Sequence, residues 1–141
     1  MIGLCAQDWY QKASSAAQTG DRIAAMGALR EGLKQFPDAP LLWHAAGSLL
    51  LTQGQPLEAA EHFAKAFALE PKQFDHAVDQ AIALSNADCN EAAIRVLAKI
   101  EKKGVKFAHY CSTRANAERG AGHHGKAIKW YDRALKIEPD R

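Results

Sequence analysis

The sequence predicts an all-α protein built as an array of helix-turn-helix repeats, an α-solenoid. The first observation is that prolines, glycines and tryptophans recur 34 residues apart. The pairs are Pro37 and Pro71, Gly20 and Gly54, and Trp9 and Trp43, with Gly122 and Pro139 following two periods later. The second observation is that alanines keep this period four times, at Ala25, Ala59, Ala93 and Ala127. A fixed period of this length is the signature of a stacked repeat architecture.

Four repeats of 34 residues fit the chain without insertion, as a single domain over residues 1–141. Their bounds are 6–39, 40–73, 74–107 and 108–141. Each repeat is expected to hold an A helix and a B helix, which gives eight helices. The A helices are predicted near 6–19, 40–53, 74–87 and 108–121, and the B helices near 22–35, 56–69, 90–103 and 124–137.

Glycine and proline punctuate these helices. Gly20, Gly54 and Gly122 are expected to end A helices in a positive-φ conformation, which glycine adopts without strain. Pro56 suits the first turn of a B helix, where its missing N–H costs no hydrogen bond. The prolines at 37, 71 and 139 are expected to stop B helices, because proline cannot continue the hydrogen-bond ladder.

The pattern inside each repeat resembles the tetratricopeptide repeat (TPR), whose signature places Trp, Gly, Ala, Phe and Pro at fixed positions. The second repeat fits best, with Trp43, Ala46, Gly47, Leu50, Gly54, Ala59, Phe63, Ala66 and Pro71. The third repeat fits least, with Ala77, Asp88 and Val105 where Trp, Gly and Pro would stand. The resemblance implies a right-handed superhelical array whose A helices line a concave face.

The resemblance also implies a peptide-binding surface, because TPR proteins line their concave face from fixed places on the A helices. The candidate binding residues at these places are Tyr10, Ser14, His44, Ser48, Asp75, Asp79, Ile82, Asn86, His109, Asn116 and Arg119. The remaining residues at these places are Gln7, Gln11, Ala17, Gln18, Leu41, Ala45, Leu51, Thr52, Val78, Ser85, Ser112, Thr113 and Gly120. These side chains are mostly neutral and able to form hydrogen bonds, which favours binding of an extended peptide. The alternative is a solvated inner surface without a ligand.

We therefore expect a non-catalytic protein-interaction module, a scaffold whose protein or peptide partner the sequence does not identify. No catalytic residue is predicted, because the chain has no Gly-x-Ser-x-Gly turn and no glycine-rich phosphate loop. No cofactor is implied either. The alternative function is the N-terminal TPR arm of a larger enzyme, such as a TPR-containing sulfotransferase, whose catalytic domain lies beyond residue 141.

Many TPR adaptors bind the acidic C-termini of heat-shock chaperones through a clamp of lysine, arginine and asparagine side chains. At the places that this clamp uses, the chain carries Asp75 and Asp79 where cations would be needed. Two carboxylates would repel the terminal carboxylate of such a ligand. The sequence therefore predicts that the protein is not a carboxylate-clamp partner of chaperones.

Composition excludes several other classes. The net charge of +2 is too small for general binding to nucleic acid, and no apolar stretch approaches the roughly 18 residues of a membrane span.

Three widely spaced cysteines suit reduced thiols in the cytoplasm, where we expect the protein. Cys89 falls in a turn between helices and is expected to be exposed. The adjacent histidines His123 and His124 are interpreted as a solvated turn, with no metal site.

Charge and apolar residues are unevenly placed in the second half of the chain. Lys99, Lys102, Lys103 and Lys106 cluster at the end of the third B helix. They suit either capping of a helix C-terminus or docking of an acidic partner.

The last B helix is predicted to leave an apolar stripe uncovered. The stripe comprises Ala127, Trp130, Tyr131, Ala134, Leu135 and Ile137. Burying it would be favourable, which predicts either further repeats in a longer protein or a homodimer through this helix.

Overall fold

The structure is a computed structural model that describes residues 3–139, and it contains nine α-helices and no strand within that range. The helices are α1 (Ala6–Gln18), α2 (Arg22–Gln35), α3 (Pro40–Thr52), α4 (Pro56–Leu69), α5 (Asp75–Asn86), α6 (Asn90–Lys99), α7 (Glu101–Gly104), α8 (Ala108–Gly120) and α9 (His124–Ile137). They fall into two compact units, Met1–Lys72 with α1–α4 and Gln73–Arg141 with α5–α9. None of the helices within residues 3–139 has the length and apolar character that crossing a bilayer requires.

The predicted turns between A and B helices are confirmed. Gly20, Gly54 and Gly122 have φ angles of 84°, 78° and 87°. Asp88 takes the same place in the third repeat with a φ of 64°, a conformation that aspartate tolerates better than most residues. All four A helices are therefore followed by a residue with positive φ, which is glycine in three of them.

Each of the prolines that the sequence assigned to a helix boundary lies at one. Pro40 and Pro56 occupy the first turns of α3 and α4. The helices α2, α4 and α9 each end two residues before a proline, at Gln35, Leu69 and Ile137. The start of α1 depends instead on Asp8, whose carboxylate accepts a 2.9 Å hydrogen bond from the Cys5 backbone N–H, which lowers the pKa of Asp8.

The third B helix differs from the prediction of one continuous helix over 90–103. It is divided at Ile100 into α6 and α7, so the described residues form nine helices rather than eight. The Tyr110 hydroxyl donates a 2.7 Å hydrogen bond to the Leu97 carbonyl, which a continuous helix would pair with the Glu101 N–H. The break therefore arises from a side chain that enters the helical ladder.

In the unit Met1–Lys72, small residues allow large ones to pack closely. Phe63 is 1% exposed, and its ring lies where a Cβ added at Gly47 would be 2.9 Å away. A Cβ at Gly32 would likewise lie 2.8 Å from the Trp9 Cβ. Trp43 is partly buried, and its Nε1 donates a 2.7 Å hydrogen bond to the Pro37 carbonyl.

The unit Gln73–Arg141 contains a buried ion-pair network. The side chain of Glu118 is only 2% exposed, and its carboxylate lies 3.5 Å from Arg114 Nε and 3.0 Å from His123 Nδ1. Arg114 Nη1 also lies 3.1 Å from the Glu101 carboxylate and donates to the Tyr110 hydroxyl at 3.1 Å. His123 does lie in a turn, with a side chain that is 39% exposed, but its ring also contacts Glu118, which the interpretation as a solvated turn did not include.

The Arg114 guanidinium is further fixed by an aromatic ring. Arg114 and Arg133 both lie 4.9 Å from the ring centre of Trp130, within the range of a cation–π contact. The Trp130 ring also meets Tyr110 edge-on at 5.8 Å.

The predicted apolar stripe on α9 is largely covered. Ala127 and Ala134 are buried, and Trp130 and Tyr131 are partly buried. Leu135 and Ile137 remain 46% and 39% exposed. They are joined by Ile128, which lies outside the predicted stripe and is 61% exposed. The exposed apolar surface is therefore smaller than predicted, because the packing of α8 against α9 buries most of the stripe.

Gly104 should not tolerate a larger side chain. A Cβ at this position would overlap the ring of Tyr110, which is fully buried and hydrogen-bonded and so has no room to move. We expect Gly104→Ala to lower the free energy of unfolding by about 1–3 kcal/mol, measured by urea denaturation.

Gly27→Ala is the matched control for Gly104→Ala. Gly27 lies within α2, and a Cβ there would meet nothing within 4 Å. Alanine should raise the stability by about 0.5–1 kcal/mol, because it restricts the unfolded chain and favours the helix. Equal effects of the two substitutions would contradict the close packing of Gly104 on Tyr110.

Candidate functional site

A groove of about 620 Å³ lies within the unit Met1–Lys72. Its walls come from α1 and α3, and its floor includes residues of α2. The lining residues are Tyr10, Ala13, Ser14, Ala17, Arg22, Ala25, Leu29, Leu41, His44, Ala45, Ser48, Leu49 and Thr52. Four of the candidate binding residues, Tyr10, Ser14, His44 and Ser48, are therefore brought together in one groove.

Helical spacing explains why these side chains share a groove. On α1, Tyr10, Ser14 and Ala17 are four and then three residues apart, which places them on one face of the helix. On α3, His44 and Ser48 are likewise four residues apart. Because α1 and α3 pack against each other and against α2, the two faces meet over a common floor.

The groove combines an apolar floor with walls in which hydroxyl groups and the His44 imidazole lie among apolar residues. Ala13, Ala25 and Leu29 on the floor are at most 4% exposed. Ser14 is partly buried and Ser48 is exposed, so both hydroxyls lie at the solvent side of this floor. Grooves of this kind bind a ligand through apolar contact and fix its orientation with a few hydrogen bonds.

His44 is positioned by the core beneath it. Its ring meets Phe63 edge-on, with the ring centres 5.0 Å apart. Since Phe63 is almost fully buried, this contact fixes the imidazole from below.

Arg22 is a groove residue that the sequence reasoning missed. It is the first residue of α2, whereas the family resemblance points only to places on the A helices. It is also the only Lys, Arg, Asp or Glu among the described residues that line the groove. The sequence does contain a signal for Arg22, which is its position directly after the Gly20 turn. Such a turn packs the start of the B helix against the A helix before it, so a residue there can reach the groove.

The other seven candidate binding residues lie in the unit Gln73–Arg141. Asp75, Asp79, Ile82 and Asn86 belong to α5, whereas His109, Asn116 and Arg119 belong to α8. Asp79 and Ile82 are partly buried, and the other five are exposed. The helices α5 and α8 pack against each other. Asn116 already accepts a hydrogen bond from the Tyr131 hydroxyl, which leaves its amide NH₂ for a ligand.

The cysteines differ in their accessibility. Cys5 is exposed, Cys89 is partly buried and Cys111 is buried. The expectation of an exposed Cys89 is wrong, because its thiol faces the Ala87 carbonyl at 3.7 Å beside the start of α6. Burial raises the pKa of the Cys111 thiol. In the described part of the chain, no three His, Cys, Asp or Glu side chains group as a metal site would require.

We expect iodoacetamide to alkylate the native protein fastest at Cys5 and slowest at Cys111. A raised pKa leaves less thiolate at neutral pH, and burial keeps the reagent away from it. Peptide mass spectrometry during a time course would measure the three rates. In denaturant the rates should converge, and a Cys111 rate equal to that of Cys5 in the native protein would contradict the structure.

Family comparisons agree with the repeat pattern. Three tetratricopeptide-repeat models match residues 6–49, 41–73 and 108–141. These segments together cover well over half of the chain, and they leave out the whole of the third repeat, 74–107, which fits the signature least. A search of curated proteins finds no match.

Several solved structures share the fold. MamA from residue 41 to its end, from Desulfovibrio magneticus RS-1, aligns with a TM-score of 0.87 at 19% identity, over 100% of this chain and 80% of that chain. YrrB, a TPR protein with an unusual peptide-binding site, aligns with a TM-score of 0.84 at 18% identity, over 96% of this chain and 70% of that chain. A thermophilic TPR protein from Thermus thermophilus aligns with a TM-score of 0.76 at 19% identity, over 96% of this chain and 75% of that chain.

At these identities the structural likeness establishes the fold, and the family matches establish the relationship. The predicted all-α fold of tandem helix-turn-helix repeats is therefore confirmed. The chain belongs to the tetratricopeptide-repeat family.

Proposed function

We propose that the protein is a non-catalytic interaction module that binds an extended peptide segment of a partner protein in the groove formed by α1, α2 and α3. The groove itself is the observation that carries this proposal. It has a volume of about 620 Å³, an apolar floor and hydroxyl groups along its walls. An extended peptide has a polar backbone and alternating side chains, and such a groove offers partners to both.

The residues that line the groove favour a ligand with both apolar side chains and a polar backbone. Tyr10 and Leu41 offer apolar contacts, and Ser14 and Ser48 offer hydrogen bonds to a peptide backbone. We also propose that the carboxylates of Asp75 and Asp79 disfavour binding of an acidic chaperone tail. For the unit Gln73–Arg141, the candidate residues on α5 and α8 stay a prediction.

A peptide selected from a random phage library on the full chain provides the test. Ala17 is exposed on α1 and lines the groove, so Ala17→Arg fills the groove without disturbing the core. We expect this variant to weaken binding of the selected peptide by at least about tenfold, measured by fluorescence anisotropy.

Ala68→Arg is the matched control, because Ala68 is exposed on α4 in the same unit and does not line the groove. It should bind the peptide as the unsubstituted chain does. Two outcomes would overturn the proposal: a library that yields no binding peptide, or peptides that bind both variants equally.

We also propose that two copies associate weakly through α9, as its exposed Ile128, Leu135 and Ile137 favour. Sedimentation across a concentration series should show a dimer at high concentration that Leu135→Glu abolishes. A monomer at every concentration would contradict this second proposal.

A further inference from the structure

The surface around α7 in the unit Gln73–Arg141 is basic and contains an aromatic pair of which one ring, that of Phe107, is exposed. We define the lysine–phenylalanine patch as Lys99, Lys102, Lys103, Lys106, Phe74 and Phe107. All four lysines are exposed, and they lie within the eight residues 99–106. No ion pair joins any of them to another described residue.

The one acidic residue within this segment does not neutralise the lysines. Glu101 lies between Lys99 and Lys102 in sequence, but its carboxylate is 3.1 Å from Arg114 Nη1. The one carboxylate within residues 99–106 is therefore paired with an arginine of α8. The four lysine charges remain available to a partner.

The two phenylalanines supply an apolar contact beside these charges. Phe107 is 51% exposed and directly follows Lys106. Its ring centre lies 5.3 Å from that of Phe74, which is partly buried. A hydrogen bond of 2.9 Å from the Phe107 N–H to the Gly104 carbonyl closes a turn that contains Lys106.

Capping of a helix C-terminus accounts for Lys99, the last residue of the ten-residue helix α6, but not for the whole arrangement. The helix α7 has four residues, so its dipole is small, and Lys106 lies beyond its end. An exposed aromatic ring adds nothing to capping.

We propose that the lysine–phenylalanine patch docks an acidic, flexible segment of a partner protein that carries an aromatic or aliphatic anchor. The lysines would bind the carboxylates of this segment, and the anchor would pack on Phe107. Such recognition joins charge complementarity at the rim to one apolar contact at the centre. The patch is a second binding surface and does not depend on the groove of α1–α3.

Two other classes of ligand fit less well. A membrane surface calls for a longer amphipathic helix than α7. Single-stranded nucleic acid calls for open aromatic faces and a strongly basic protein, whereas Phe107 packs on Phe74 and the net charge is +2.

The test uses the full chain and a fluorescein-labelled peptide in which glutamates flank one tryptophan. Lys102→Glu with Lys103→Glu should weaken binding by about tenfold, and higher salt should weaken binding to the unsubstituted chain. Phe107→Ser should weaken binding of this peptide, but not of a version with serine in place of tryptophan. Thermal melts followed by circular dichroism verify that each variant is folded.

The matched control is Lys126→Glu with Lys129→Glu, which changes the net charge equally at exposed positions on α9. This control should keep the affinity of the unsubstituted chain. Equal loss in both double variants, or no binding of the glutamate peptide, would overturn the proposal. Phosphatidylserine vesicles and an oligothymidylate are tested in the same way. The proposal would also be overturned if either of them bound the unsubstituted chain more tightly than the peptide does and no longer bound the variant Lys102→Glu with Lys103→Glu. The Ala17→Arg variant should bind the glutamate peptide normally, which separates this proposal from that of the groove.

Discussion

Replacing Glu118 with glutamine is expected to lower the free energy of unfolding by about 3–5 kcal/mol. The Glu118 carboxylate is almost fully buried and lies between Arg114 and His123. Removing its charge leaves the Arg114 guanidinium, whose side chain is 12% exposed, with one fewer partner in a poorly solvated site. Glu101, whose side chain is 48% exposed, still lies beside Arg114, but a half-exposed carboxylate is screened by water and replaces the buried partner only in part.

Chemical denaturation of a small set of variants would measure this effect. Glu58→Gln on the exposed first turn of α4 is the control and should change stability by less than about 0.5 kcal/mol. The double variant Arg114→Met with Glu118→Leu should lie close to the unsubstituted chain, because well-packed apolar residues often replace a buried ion pair without loss. A loss below about 1 kcal/mol for Glu118→Gln would contradict the buried network.

The second large effect is expected for Phe63→Ala, which should cost about 3–5 kcal/mol. The Phe63 ring is 1% exposed and fills the space above Gly47, so its removal leaves a cavity in the core of the unit Met1–Lys72. The same substitution removes the ring on which His44 packs. We therefore expect the variant to bind a groove-selected peptide more weakly under conditions where it is still folded.

Leu57→Ala is the control for Phe63→Ala, because Leu57 lies on the same helix and is 57% exposed. It should cost less than about 1 kcal/mol. Urea denaturation would measure both variants, and anisotropy would measure peptide binding. A Phe63→Ala variant as stable as Leu57→Ala would contradict the packing described for this core.

The helices could be predicted from the sequence because their boundaries depend on local chemistry. Gly54 and Pro71 act on the backbone within two residues of themselves, so their recurrence at the 34-residue period placed the helix ends. The division of the third B helix depends instead on Tyr110, which bonds to a carbonyl 13 residues earlier. A contact of that kind has no local signal.

The groove was predicted in part for a similar reason. The spacing of Tyr10 and Ser14 on α1 fixes which face they share. The entry of Arg22 into the same groove depends on how α2 packs against α1 and α3. Likewise, the four-residue spacing of Arg114 and Glu118 predicts a possible ion pair, whereas its burial depends on the neighbouring helices.

The position of Trp130 gives the molecule a built-in optical reporter. Two of the three tryptophans, Trp9 and Trp43, belong to the unit Met1–Lys72, and Trp130 alone belongs to Gln73–Arg141. With Trp9 and Trp43 changed to phenylalanine, the remaining emission would follow the α8–α9 pair alone. Because two guanidinium groups flank the indole in the native state, unfolding removes both cations at once and should shift the emission of a single chromophore.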